Sequence, residues 1–115
     1  MLCHVAMSPK AAQANERILA QVEKYGGGYV WEREVFAVML MDVAIADADA
    51  VTLCGLTGVE QVALNASRLS FPMLQKIARI PGLRSLVLSG ITLTPEEQLA
   101  LHHCGPKVEV VADGA

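Results

Sequence analysis

Residues 83–104, LRSLVLSGITLTPEEQLALHHC, carry one strand-and-return unit, and two backward steps of 24 residues find the same pattern again. Leu83, Leu86, Leu88 and Leu93 fall on Val59, Val62, Leu64 and Leu69, then on Val35, Val38, Leu40 and Ile45. All twelve positions are aliphatic. The second half of the unit repeats as well, with Leu101 over Ile77 and Leu53, Cys104 over Ile80 and Leu56, and Gly82 over Gly58. A further step from Leu86 reaches Val110 in KVEVV, which predicts a partial fourth unit closing the chain. Recurrence at this period marks units that cannot bury their apolar faces alone and must stack on neighbours.

Within the unit, Leu86 and Leu88 share one side of a short strand, Leu83 is tucked in at its entry, and Leu93 turns the chain inward after it. Thr94-Pro95-Glu96-Glu97 then has the signature of a helix start: a Thr N-cap, Pro in the first turn and Glu three residues beyond the cap. Leu101 and Cys104 follow at helical spacing. In the preceding unit Ser70 is the expected cap and Pro72 lies in the first turn. Met73, Leu74, Ile77 and Ile80 supply the buried stripe there.

LRSLVLSGITL, VEQVALNASRL and VFAVMLMDVAI resemble the leucine-rich repeat family, whose units read LxxLxLxxxxL followed by a helical return. The resemblance covers about residues 35–112 and is nearest to short, regular bacterial-type repeats. The position that is often Asn in that family is Ile91, Ser67 and Val43 here. The resemblance implies an α/β fold, a short right-handed solenoid of ribonuclease-inhibitor-like horseshoe form. Three 24-residue repeats would occupy 35–58, 59–82 and 83–106, with a helix-and-strand cap at 1–34 and a partial repeat at 107–115. It also implies a parallel sheet on the concave face and a role in protein–protein interaction.

The 115 residues make one domain, 53% apolar but only 4% aromatic, which suits an aliphatic stacked core. The net charge of −3 and the scattered Lys and Arg argue against nucleic-acid binding and against a polybasic membrane anchor. No run approaches a membrane span, and MLCHVAMSPK does not read as a signal peptide. Cys3, Cys54 and Cys104 form no disulfide framework, so a reducing cytoplasm is the expected compartment.

Ser8-Pro9 opens a helix whose apolar stripe is Ala11, Ala14, Ile18, Val22 and Tyr25, with Gly26 ending it. Gly26-Gly27-Gly28 sits between a helix and a strand, the reverse of the strand–glycines–helix order that cradles phosphate. A helix stop is the favoured reading. Tyr29–Glu32 is β-prone and is expected to pair with Val35–Leu40 as an end cap, with Trp31 either part of that cap or an anchor for a partner. Asp42, Asp47 and Asp49 lack calcium-loop spacing, and the last two fit the first turn of a helix. His102-His103-Cys104 is the one cluster of chemical appearance. Adjacent helical residues diverge by about 100°, so the three cannot ligate one ion together. A metal site completed by Cys3-His4 and a thiol nucleophile remain alternatives. No metal, cofactor or catalytic residue is assigned.

Side chains between the core positions should stand on the opposite, concave face of the sheet. They form three columns: Ala37, Gln61, Ser85 and then Glu109; Met39, Ala63, Val87 and then Val111; Met41, Asn65, Ser89 and then Asp113. The apolar middle column is a candidate contact strip for a protein partner. Residues 37–89 of those columns are the predicted partner-binding set of a noncatalytic scaffold. A dimeric structural subunit joined through its C-terminal edge strand is one alternative. A small enzyme or metal-binding domain using His or Cys residues is another.

Overall fold

A computed structural model describes residues 9–32 and 35–111. The cap at Ser8, the Cys3-His4 pair, Asp113 and the side chains of Trp31, Ala11 and Ala14 lie outside the described residues. The chain forms an α/β fold. Helix α1 (Pro9–Lys24) is followed by strands β1 (Gly28–Glu32) and β2 (Val35–Ala44), helix α2 (Asp47–Ala50) running into a 3-10 turn (Val51–Gly55), and β3 (Gln61–Asn65). Helix α3 (Phe71–Ala78), β4 (Ser85–Ser89), α4 (Pro95–His103) and β5 (Lys107–Val110) complete the order.

The five strands make one sheet in the order β1-β2-β3-β4-β5. The β1–β2 pair is an antiparallel hairpin, as the alternation in Tyr29–Glu32 predicts, while β2 through β5 are parallel. Consecutive parallel strands require a crossover between each pair, and the return segments supply it. Val38 lies opposite Val62, and Val62 opposite Leu86, so two successive lateral steps each advance 24 residues. The 24-residue spacing in the sequence is thus the cross-strand register of β2, β3 and β4.

Even-numbered strand residues Phe36, Val38, Leu40, Val62, Leu64, Leu86 and Leu88 are all buried and meet Ile18 and Val22 from α1 and Leu53, Leu74, Ile77 and Leu101 from the returns. Leu53, Ile77 and Leu101, superposed by the 24-residue step, are each 0% exposed. Burial of a large aliphatic side chain contributes about 1.5–3 kcal/mol, so this column is a main source of cohesion between neighbouring returns.

Local chemistry starts and stops the returns where the residues predict. Thr94 accepts from the Glu97 amide at 3.1 Å while the Glu97 carboxylate accepts from the Thr94 amide at 3.0 Å, a reciprocal box at the head of α4. Ser70 caps α3 by accepting from the Met73 amide at 3.3 Å. Gly58 and Gly82, 24 residues apart, hold φ of 82° and 84° ahead of β3 and β4, a region that costs any residue with a Cβ. Gly27 is required for a different reason. A Cβ there would come within 2.6 Å of the Met39 carbonyl oxygen and closer still to the Leu40 side chain.

Two expectations are corrected. Leu86 pairs with Val108 and not with Val110, so the last step is two residues short of 24. Six residues, 79–84, link α3 to β4, whereas only three, 104–106, link α4 to β5. The shortened return brings β5 in early. A slip of two preserves which face each side chain takes, so Val108 still enters the core. On β2, Leu40 pairs with Leu64 but Ala44 pairs with Asn65, and Met41 falls in the irregular stretch between them.

Candidate functional site: the open face of the sheet

The face of the sheet turned away from the helices is built by odd-numbered residues. Ala37, Gln61 and Ser85 are register partners across β2, β3 and β4, and the row ends on Lys107. Met39, Ala63 and Val87 form the next row, which ends on Glu109 and not on Val111. The third row joins Asn65 to Ser89, with Ala44 in the place expected for Met41. Eight of the nine predicted partner-binding residues therefore share the rows assigned to them, and Met41 does not.

Exposure varies along the middle row for a steric reason. Met39 is 41% exposed because its neighbours in register are Gly28 on β1 and Ala63 on β3, neither tall enough to cover it. Ala63 lies at the bottom of the depression between Met39 and Val87 and is 6% exposed. The result is a shallow apolar strip flanked by the half-buried amide of Gln61 and hydroxyl of Ser85. Lys107 and Glu109 put both signs of charge at its far end. The Asn65 side chain is already committed, accepting from the Ser67 amide at 3.1 Å. Ser89 is buried and reaches the Leu64 carbonyl at 3.5 Å. Ala37, Met39, Gln61, Ser85 and Val87 thus remain as the half-buried or exposed members of the surface.

The side chains of chemical interest lie elsewhere and are engaged locally. His102 Nδ1 stands 3.1 Å from the Pro106 carbonyl oxygen, and the Cys104 thiol donates to the Ala100 carbonyl at 3.4 Å. Burial pushes the Cys54 thiol above its ordinary value, which lowers its thiolate fraction at neutral pH. Burial and then the neighbouring Asp49 carboxylate raise Tyr25, whose hydroxyl donates to Asp49 at 3.3 Å. Among the described residues, no three His, Cys, Asp or Glu side chains converge as metal ligands, and no helix is long and apolar enough to cross a membrane.

Sequence reasoning missed two features. The side chain of Asn15 on α1, 4% exposed, donates to the Thr57 carbonyl at 2.7 Å and accepts from the Thr57 amide at 2.8 Å. It mimics a strand partner and pins α1 to the turn before β3. Nothing local to Asn15 signals this, because the bond spans 42 residues. The second feature is a pair of open grooves beside β5. One of about 550 Å³ runs past Ile91, Leu93, Gln98 and Val110, and the other, of about 440 Å³, past Pro95, Leu99, His102 and Val108. A signal for these was available: Leu99 and Leu101 are two apart on α4, so they cannot face the same side of a helix. Leu101 is buried and Leu99 is 54% exposed.

Comparison with protein-family models, with curated proteins and with solved structures finds no match to this chain.

Proposed function

We propose that the chain is a leucine-rich repeat module, a short right-handed solenoid of three 24-residue units, that serves as a noncatalytic scaffold for protein recognition. The observation carrying this reading is the register in which Met39, Ala63 and Val87 line up across three parallel strands, on the face opposite the helical returns. A flat apolar strip with an adaptable Met at its rim and amide and hydroxyl groups alongside suits the side chains of a protein partner. The free thiols Cys54 and Cys104 support a reducing, cytoplasmic setting.

Met39→Glu combined with Val87→Glu is the test, with affinity purification from the native host as the readout. Both positions are outside the core, so the melting temperature should move by no more than a few degrees while the partner is lost. A partner retained equally by the variant would contradict the reading.

A further inference from the structure

The outer edge of β5 ends the sheet among the described residues. Lys107 and Val111 donate their amides towards the β4 side, at 2.9 Å to the carbonyl of Arg84 just before β4 and at 2.7 Å to that of Leu88. Alternation along a strand therefore aims the amides and carbonyls of Val108 and Val110 outward, away from the sheet. The Val108 carbonyl is reached by the Gln98 side chain at 3.4 Å, a long contact that leaves a second lone pair. Behind this edge lie the groove past Pro95, Leu99, His102 and Val108 and the exposed Leu99 side chain. Backbone donors, an apolar groove and an exposed Leu thus lie along one boundary of the molecule.

We infer that this edge is a homodimer interface, in which β5 pairs antiparallel with β5 of a second copy about a two-fold axis through Val108. The sequence around that residue is self-complementary: Lys107-Val108-Glu109, read in reverse on the partner, sets each Lys107 against Glu109 of the other copy. Both charged residues are exposed and stand on the open face, where cross-strand partners meet. The two adjacent registers, centred on Lys107 or Glu109, oppose like charges and are poorer. Only residues with outward-facing backbone groups can form hydrogen-bonded pairs, so the axis passes through a residue and not between two. Moving it to Glu109 would oppose Glu109 to its own copy. About Val108, each Val108 amide meets the facing Val108 carbonyl, and each Val110 amide meets the facing Pro106 carbonyl. Pro106 has no N–H, so the reciprocal bond to the Val110 carbonyl is missing at each end of the ladder. A two-fold axis perpendicular to the sheet keeps both helical layers on the same side, so Leu99 of one copy faces Leu99 of the other. Ten strands would then form one continuous sheet, and the strip of the open face would be doubled.

Charge reversal tests the register and the occupant together. The chain should sediment as a dimer at micromolar concentration. Lys107→Glu alone, or Glu109→Lys alone, opposes like charges at two places and should weaken the dimer about tenfold or more. The double variant Lys107→Glu/Glu109→Lys should restore it. Mixing the two single variants should also restore association, as a heterodimer with every pair attractive. Circular dichroism and melting temperature verify that each variant is folded. A chain that stays monomeric at 100-fold higher concentration, or a dimer indifferent to the single reversals, would overturn the inference. So would single variants that do not recover on mixing, the result expected if another part of the same chain covers the edge.

Discussion

Asp47 accepts from the Ser70 hydroxyl at 2.6 Å and from the Ser70 amide at 2.9 Å, joining the heads of α2 and α3 across 23 residues. Those two hydrogen bonds, the hydroxyl first, hold its carboxyl below the usual carboxylate range, and Lys76 adds attraction. Because the folded value is the lower one, the ionised carboxylate stabilises the fold above the unfolded value near 3.9. That contribution fades as pH falls through the folded value. Asp47→Ala should therefore lower the melting temperature at pH 7, and the gap to the wild-type chain should narrow between pH 7 and the acid range in which the carboxylate protonates. Thermal melts across that range measure it, and a constant gap would show that the charge is not the cause. The sequence placed Asp47 correctly as a first-turn acid on dipole grounds. Its bond to Ser70 was not legible, since the partner lies 23 residues on and is brought near only by the fold.

The returns differ more than the strands do, although the same 24-residue step relates them. Helix α4 carries its whole N-terminal signal in four consecutive residues, and its box was readable from Thr94-Pro95-Glu96-Glu97 alone. Thr94→Ala removes the acceptor for the Glu97 amide and should cost about 1 kcal/mol, read from a chemical denaturation midpoint with unchanged slope. The first return has no such cap: Ala46 precedes α2, which lasts four residues before tightening into the 3-10 turn. Register on β5 was misread because counting by 24 assumes returns of equal length. Gly105-Pro106 shortens the last one, and no periodicity within β5 itself reveals a slip that keeps every side chain on its own face. The register shift within β2, which displaces Met41, likewise leaves the alternation before it intact.

At the scale of the whole molecule, most of the architecture follows from aliphatic side chains that lie side by side on neighbouring parallel strands. Val38, Val62 and Leu86 are each 0% exposed and lie side by side on parallel strands, which is what their spacing in the chain requires. The open face follows from the same alternation, so its rows at Ala37 and Met39 were legible as soon as the strands were. Its far end was not, because that end depends on the length of one return. The resulting strip has Lys107 and Glu109 beyond Ser85 and Val87, and those charges bear on both the partner surface and the edge of β5.

The register of the parallel strands is the premise for both surfaces, and nuclear Overhauser contacts between backbone protons in solution measure it most directly. Contacts should link Val38 to Val62, Val62 to Leu86, and Leu86 to Val108. Contacts from Leu86 to Val110 would contradict the register at β5, and an antiparallel pattern between β3 and β4 would remove the rows on which the recognition surface rests.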